Sequence, residues 1–265
     1  MRPAVTSGYA PVNGLEIYWE SRGRGGTPLI VTHGGYGLAS MYADLAGTLA
    51  VDRQVVVIEL QGHGHTRDAA RPFRWHQLGE DIAGVVNHLG FSEADLLGHS
   101  LGSGASLRCA IQHQTLVRKL IMLSAPHRDA WFPEIREGFD QMTGATLFGR
   151  LKQSPMHAGF AEVAPDPDSF PVLIDKTGDL LRQQYDWSEE VRQLPMPVQL
   201  IYGDADSISP AWAADFYALL GGGTRDAGLD GSLPTESRLV ILPGISHYNI
   251  LDSPHLAPVV AEFAR

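Results

Sequence analysis

A serine set between glycines follows a short apolar run and precedes a segment of small residues. The residues at 98–102 read GHSLG, the apolar run covers 94–97, and the small-residue segment covers 102–114. A strand that enters a helix through so tight a turn holds the middle residue in a strained conformation, with its side chain at the top of the sheet. The flanking glycines are needed because a Cβ there would collide with the neighbouring strand and helix. The pattern predicts a nucleophilic hydroxyl at Ser100, with an ordinary Gly/Ser turn as the alternative.

A serine hydroxyl needs a base to accept its proton and a third group to orient that base. Two later apolar runs, at 197–202 and 238–242, are predicted to be buried strands. The first ends in a loop that carries Asp206, and the second ends shortly before His247. In parallel sheets, binding and catalytic residues lie at the carboxyl ends of the strands, so we expect both side chains beside Ser100.

A glycine-rich loop can supply hydrogen-bond donors for the oxyanion of a tetrahedral intermediate. The apolar run at 28–32 leads into HGGYG at 33–37, where backbone without side chains can turn an N–H toward the site. Leu101 directly follows the nucleophile at a helix N-terminus, where a second N–H is available. The expected oxyanion donors are therefore the backbone N–H groups of Gly35 and Leu101.

These motifs, in this order, resemble those of the α/β-hydrolase superfamily, and the resemblance covers nearly all of the chain. The matching segments are the oxyanion loop, the glycine loop after the next strand, the nucleophile elbow, the acid loop and the histidine loop, at 33–35, 62–66, 98–102, 203–206 and 244–247. Three positions depart from the usual pattern: Glu59 replaces aspartate, Thr66 replaces serine and Ser103 replaces glycine. None of these changes removes a catalytic group.

The resemblance also selects among the carboxylates. Asp204 and Asp206 follow the same strand, and Asp129 follows an earlier strand, where some superfamily members carry their acid. The family pattern of a glycine followed three residues later by the acid selects Asp206. The implied catalytic residues are Ser100, Asp206 and His247.

The resemblance implies a serine hydrolase that cleaves small to medium, partly apolar carboxylic esters or lactones through an acyl-enzyme on Ser100, without a cofactor. Carbon–carbon bond hydrolases, perhydrolases and cofactor-free dioxygenases carry the same motifs. Ester turnover compared with oxygen consumption would separate these chemistries. Some hormone receptors use the same scaffold to bind a ligand, and stabilisation by a ligand without turnover would indicate that role.

Strand and helix patterns alternate along most of the chain. Asn13-Gly14, between two strand-like segments, predicts an antiparallel hairpin at the start. Strands are then expected near 28–33, 54–60, 94–99 and 118–124, and helices near 38–50, 75–89 and 101–114. This alternation predicts an α/β fold, in which helices cover both faces of a mostly parallel sheet.

The alternation stops after Pro126 and resumes at Pro197. The expected division is an α/β-hydrolase core domain of 1–126 and 195–265, with a helical cap of 127–194 inserted in it. The cap segment has glycine and proline breaks and large apolar side chains, a minority of which should line a substrate pocket. Candidates for pocket lining, with packing as the alternative, are Tyr36, His99, Trp131 and Tyr248.

Composition limits the expected partners. The 265 residues carry 20 basic and 30 acidic side chains, a net charge of −10, so nucleic acid and anionic membranes are not expected to bind. The single cysteine, Cys109, excludes an internal disulfide. Without a signal-peptide pattern or an apolar run of about 20 residues, the expectation is a cytoplasmic monomer or homodimer that acts on a small molecule.

The 11 histidines raise the question of a metal site. His63 and His65 lie two residues apart on a glycine-rich loop, but no H-x-x-x-H or H-E-x-x-H pattern accompanies them. His33 and His63 match the structural loop histidines of the superfamily. No metal is therefore expected.

Overall fold

A computed structural model describes residues 4–128, 131–233 and 235–265. Its centre is an eight-stranded sheet with strands β1 Thr6–Val12, β2 Leu15–Arg22, β3 Leu29–Thr32, β4 Val55–Ile58, β5 Ala94–His99, β6 Val117–Leu123, β7 Val198–Ala205 and β8 Arg238–Ser246. The spatial order is β1-β2-β4-β3-β5-β6-β7-β8. β2 pairs antiparallel with β1 and with β4, and all the other neighbours pair in parallel.

Helices account for most of the remaining regular structure. They are α1 Ala43–Leu49, α2 Trp75–His88, α3 Leu101–Gln112, α4 Pro133–Asp140, α5 Gly144–Leu151, α6 Pro155–Val163, α7 Phe170–Leu181, α8 Ser188–Arg192, α9 Pro210–Leu219 and α10 Leu256–Ala264. Short 3₁₀ helices lie at 39–42, 167–169 and 250–252. Within the described ranges, none of the helices combines the length and the hydropathy that a bilayer span requires.

Both faces of the sheet are buried, as the apolar sequences of its central strands require. Every residue of β3 and β4 is buried. Side chains alternate along a strand, so Ile30 and Val56 join the core on one face, while Val31 and Val57 join the core on the other. Helices α2 and α3 cover the first face, and α1 and α10 cover the second. The predicted α/β fold with a mostly parallel sheet is confirmed.

The opening hairpin turns at Asn13 and Gly14, as predicted. Their φ angles are 50° and 80°, the positive values of a two-residue turn whose twist matches that of the strands. The Asn13 side chain also donates a hydrogen bond to Asp81 of α2 at 2.9 Å. The hairpin is therefore attached to a helix of the main body as well as to β4.

The segment 127–194 lies between β6 and β7, and its described residues form α4 to α8. Its aromatic core includes Phe160 and Phe170, which are buried with ring centroids 5.1 Å apart. Lys176 of α7 connects the segment to the rest of the chain, because its Nζ lies 2.6 Å from the Asp68 carboxylate. The run of short helices agrees with the glycine and proline breaks in the sequence, and the division into core domain and cap stays a prediction.

Candidate active site

Ser100 occupies the turn between β5 and α3 in a conformation that residues with a Cβ rarely adopt. Its φ is 51° and its ψ is −115°. Its N–H donates to the main-chain oxygen of Leu123 on β6 at 2.8 Å. A Cβ added at Gly98 would lie 2.5 Å from the Cα of Ser103, and Gly102 is as tightly enclosed. Both glycines are therefore required by sterics, as the sequence pattern predicted.

The three side chains predicted to be catalytic meet in one hydrogen-bonded line. Nε2 of His247 lies 2.9 Å from Oγ of Ser100, and Nδ1 of His247 lies 2.9 Å from Oδ1 of Asp206. The three residues follow β5, β7 and β8, so each comes from a different strand end. A neutral imidazole that donates from Nδ1 to the carboxylate leaves Nε2 able to accept the Ser100 proton.

The Asp206 carboxylate is buried and accepts several hydrogen bonds. Oγ of Ser124 donates to Oδ2 at 2.5 Å, and the main-chain N–H groups of Gly203 and Ile208 donate at 3.4 and 3.3 Å. Burial raises the pKa of Asp206, but the hydrogen bond and charge of His247, with the Ser124 and Gly203 donors, outweigh burial and hold this pKa below its ordinary value. Asp206 is consequently ionised at neutral pH and can stabilise an imidazolium.

Ser124 is a site residue that the sequence patterns do not indicate. It directly follows β6, is fully buried and has a φ of 54°. Its N–H donates to the main-chain oxygen of Ile201 on β7 at 3.0 Å, so the neighbouring strand holds this left-handed backbone in place. A sequence search could find Ser124 only as a serine at the end of β6, the strand that pairs with the strand before Asp206. Such a search needs the order of the strands in the sheet, which the sequence patterns do not give.

Asp204, the competing carboxylate on the acid loop, bonds to the backbone of the histidine loop. Its Oδ1 accepts from the N–H groups of Gly244 at 2.8 Å and Ile245 at 3.2 Å. Two aspartates therefore hold the histidine loop. Asp204 accepts hydrogen bonds from main-chain N–H groups of the loop, and Asp206 contacts the imidazole of His247. The third candidate, Asp129, lies outside the residues that the structure describes.

His33 shapes the loop after β3. The Leu60 N–H donates to Nε2 of His33 at 3.0 Å, so the neutral ring carries its proton on Nδ1, which donates to the Gly34 oxygen at 2.8 Å. Burial and the nearby His63 lower the pKa of His33 to about 3, which keeps the ring neutral. The C=O and N–H of a trans peptide point in opposite directions, so this bond turns the Gly35 N–H away from His33.

The second predicted oxyanion donor lies at the start of α3. Leu101 is the first residue of that helix, where N–H groups have no acceptor within the helix and the helix dipole favours negative charge. Gly35 and Leu101 both line the cavity that contains Ser100. The structure thus places both predicted donor residues on the walls of the cavity that contains Ser100.

A cavity of about 580 Å³ contains Ser100 and His247. Among the residues that the structure describes, its walls include no Asp, Glu, Lys or Arg. The segment between β6 and β7 contributes Thr177 and most of the apolar wall: Trp131, Ile135, Phe139, Met142, Leu147, Leu151, Met156 and Leu181. The cavity is therefore suited to an uncharged, largely apolar ligand.

All four residues predicted as pocket candidates line this cavity: Tyr36, His99, Trp131 and Tyr248. The Trp131 ring packs edge-on against the His247 imidazole, with centroids 5.5 Å apart and an interplanar angle of 68°. Tyr248 is 81% exposed, so it forms part of the cavity mouth. Of the wall residues in the segment 127–194, only Trp131 was predicted from the sequence, because the residues that line the cavity and those that pack inside the segment are both apolar.

The two closely spaced histidines bond to neighbouring protein atoms. Nδ1 of His63 lies 3.0 Å from the Gln61 oxygen, and Nδ1 of His65 lies 3.0 Å from Oε2 of Glu59. The other carboxylate oxygen of Glu59 accepts from the Ala39 N–H at 2.9 Å. The glutamate that replaces the family's usual aspartate therefore joins the glycine loop to the 3₁₀ helix before α1.

Comparison with known proteins agrees with this architecture. A family model described as alpha/beta hydrolase fold matches residues 27–254. A non-heme haloperoxidase from Rhodococcus erythropolis is 24% identical over 263 residues, which are 89% of this chain and 90% of that protein. A haloalkane dehalogenase from Bradyrhizobium elkani USDA94 is similar in structure, with a TM-score of 0.77, 18% sequence identity and coverage of 98% of both chains. At this identity the structural likeness shows the fold alone.

Other curated relatives match over shorter stretches. The dihydrolipoyllysine-residue acetyltransferase component of an acetoin cleaving system from Pseudomonas putida is 32% identical over 132 residues, or 49% of this chain. That match covers 36% of the relative's length, and the next relative is covered over 43% of its length. The chain therefore spans less than half the length of these two relatives.

Ser124→Ala should lower the free energy of unfolding by about 1–2 kcal/mol at pH 7, because a buried, ionised carboxylate loses a hydrogen bond. Folding lowers the pKa of Asp206, so the stability linked to this carboxylate is present above its unfolded pKa, about 4. It is lost as the pH falls through the lower folded pKa. Urea denaturation at several pH values measures the difference from the wild type.

Ser103→Ala is the matched control, because the Ser103 hydroxyl donates to the main-chain oxygens of Gly98 at 2.6 Å and Leu123 at 3.0 Å. These neutral acceptors do not titrate, so the loss of unfolding free energy in Ser103→Ala should not change with pH. The Ser124→Ala loss of unfolding free energy should instead shrink as the pH falls through the folded pKa of Asp206, and a loss that stayed constant over the whole acid range in which the protein is folded would contradict the assigned contact.

Proposed function

The chain belongs to the α/β-hydrolase family, and from this premise we propose that it is a serine hydrolase that cleaves neutral, partly apolar carboxylic esters or lactones. The observation that carries the proposal is the hydrogen-bonded line from Ser100 through His247 to Asp206, beside an uncharged cavity. Family membership alone does not decide the chemistry, because the relatives include a haloperoxidase and the structural neighbours include a haloalkane dehalogenase.

Acylation begins when Nε2 of His247 accepts the Ser100 proton as Oγ attacks the carbonyl carbon of the ester. Asp206 holds the imidazole with its Nδ1–H toward the carboxylate and stabilises the positive charge that forms. The imidazolium then donates this proton to the leaving alkoxide oxygen as the ester C–O bond breaks. The alcohol departs and the acyl group stays on Ser100.

Deacylation repeats these steps with water in place of the alcohol. His247 accepts a proton from water as the water oxygen attacks the acyl carbon, and it returns the proton to Oγ of Ser100 as the acyl–Oγ bond breaks. The products are the carboxylic acid and the free enzyme. In both tetrahedral intermediates, the oxyanion is held by the N–H groups of Gly35 and Leu101.

The cavity walls favour a neutral substrate. A substrate carboxylate would find no cationic side chain among the described wall residues, and burial of an unpaired charge is costly. The cavity volume of about 580 Å³ lies within the range of pockets that bind small molecules. Met41, Met142 and Met156 contribute flexible apolar surface that can fit acyl or alcohol groups of different shape.

The segment 127–194 is proposed to act as a cap that sets the substrate range. Its side chains form most of the apolar wall, whereas the reacting groups all follow strands of the sheet. Trp131 connects the two, because its ring packs against His247 on one side and against Phe139 of α4 at 5.3 Å. The chemistry and the selectivity would then reside in different parts of the chain.

A fluorophosphonate probe should label the protein once, on Ser100, because the base and the oxyanion donors converge on that hydroxyl alone. Intact-protein mass spectrometry measures the added mass. Ser100→Ala should abolish both labelling and ester turnover, while Ser92→Ala, at an exposed serine remote from the cavity, should change neither. Labelling that persisted in Ser100→Ala would refute the assignment.

A neutral ester should react much faster than a charged ester of similar size. We expect kcat/KM for p-nitrophenyl butyrate to exceed that for p-nitrophenyl hemisuccinate at least about tenfold, because the second acyl chain ends in a carboxylate that the cavity cannot pair. Release of p-nitrophenol measures both rates. Equal values would contradict the proposed substrate class, and oxygen consumption on ring substrates without any ester turnover would indicate the dioxygenase alternative.

Trp131→Ala should change the relative rates for short and long esters more than it changes labelling by a small phosphonate, because it enlarges the cavity beside His247. Trp187→Ala is the control: Trp187 is buried in the same segment against Trp75 and does not line the cavity. It should lower the melting temperature without changing the ratio of ester rates. The cap role fails if folded Trp131→Ala protein loses the same fraction of activity on every ester.

A further inference from the structure

The Tyr42 hydroxyl contacts both loops that carry the oxyanion donors. The main-chain N–H of Gly34 donates to Oη of Tyr42 at 3.0 Å, and the same Oη lies 2.8 Å from Nδ1 of His99. Gly34 directly precedes Gly35 on the loop after β3, and His99 directly precedes Ser100 at the elbow. Tyr42 itself is only 2% exposed, so water does not compete for these bonds.

The direction of each hydrogen bond follows from proton counting. A main-chain N–H can only donate, so Tyr42 accepts from Gly34. Among the described contacts of Tyr42, Nδ1 of His99 is the one acceptor for the phenolic proton, and the opposite tautomer of His99 would leave this buried O–H without a partner. Burial and the nearby His247 lower the pKa of His99 to about 3, and burial raises the pKa of Tyr42. Both groups are therefore neutral around pH 7, and His99 carries its proton on Nε2.

No strand pairing joins the two loops at this point. The parallel ladder between β3 and β5 has its last pair at Thr32 and Gly98, so no ladder hydrogen bond joins the residues that follow them. The bonds from His33 and Gly37 to the Gly34 oxygen orient that peptide within its own loop, but they do not connect it to the elbow. The Tyr42 hydroxyl supplies a connection beyond the ladder.

We infer that Tyr42 is a positioning residue that sets the separation between the two oxyanion donors, the N–H groups of Gly35 and Leu101. This inference rests on the proposed hydrolase function. The hydroxyl fixes the residue before Gly35 relative to the residue before Ser100, so its loss lets the two donors drift apart. Misplacement of a catalytic group by about 1 Å can cost a hundredfold in rate.

Tyr42→Phe removes the connection and keeps the buried ring. We expect kcat for p-nitrophenyl butyrate to fall about tenfold to a hundredfold with KM changed less than about twofold, because oxyanion donors act mainly in the transition state. Affinity for a trifluoromethyl ketone, whose Ser100 adduct carries an oxyanion, should fall by a similar factor. Tyr217→Phe is the matched control, since it deletes a hydroxyl that lies 2.7 Å from Oγ1 of Thr235 outside the cavity. It should leave kcat unchanged.

A second readout tests the bond without turnover. The ¹⁵N chemical shifts of His99 should show an unprotonated, hydrogen-bonded Nδ1 in the wild type, and the Nδ1 signal should shift in Tyr42→Phe but not in Tyr217→Phe. In a His99→Leu background, Tyr42→Phe should cause a smaller further loss of kcat than it causes alone, because the connection is already broken.

The possible failures are distinguishable. Wild-type protein that neither hydrolyses esters nor reacts with the ketone would refute the proposed function, and the inference with it. Wild-type turnover with an unchanged kcat in Tyr42→Phe would refute the inference alone. So would an unchanged Nδ1 signal, or a loss of kcat matched by an equal loss of affinity for both the ketone and a non-covalent apolar ligand.

Discussion

The main-chain hydrogen bonds that pair β3, β5, β6, β7 and β8 in parallel bring the predicted catalytic side chains to one edge of the sheet. Parallel pairing sets the carboxyl ends of the strands side by side, so Ser100 and His247 meet although 147 residues separate them. The pairing also continues into the site, where Ser100 bonds to Leu123 and Ser124 bonds to Ile201. Neighbouring strands thus support both serines in left-handed conformations that would otherwise be unfavourable.

Burial of the site imposes a second requirement, which is that each polar group removed from water needs a partner. Asp206 accepts hydrogen bonds from Ser124 and from two main-chain N–H groups. Glu59 accepts from main-chain N–H groups of the 3₁₀ helix before α1 and of the glycine loop. The His33 ring bonds to Leu60 and Gly34. The hydrogen bonds to Asp206 also lower the pKa of this carboxyl, whereas burial keeps His33 neutral. At Asp206 the same bonds therefore set both geometry and protonation state.

Local patterns predicted the parts of this molecule that local interactions determine: the hairpin turn, the buried strands and the elbow at Ser100. The choice of Asp206 over Asp204 required the family spacing, because alternation along a loop does not separate two carboxylates two residues apart. Ser124 and Tyr42 escaped prediction, since their partners lie 82 and 57 residues away and only tertiary packing brings them together. The wall residues of α4 to α7 escaped because a lining side chain and a packed one have the same apolar character.

The described walls of the cavity carry no charged side chain, while the chain as a whole has a net charge of −10. In the proposed reaction, these charges affect the neutral substrate and the acid product differently. A neutral ester arrives by diffusion without electrostatic steering, so its association rate should vary little with ionic strength. The acid product ionises at neutral pH, finds no cation among the described wall residues and is repelled by the field of the whole protein. Under the proposed function, net charge would therefore act on product departure instead of substrate capture, and inhibition by the carboxylate product should be weak.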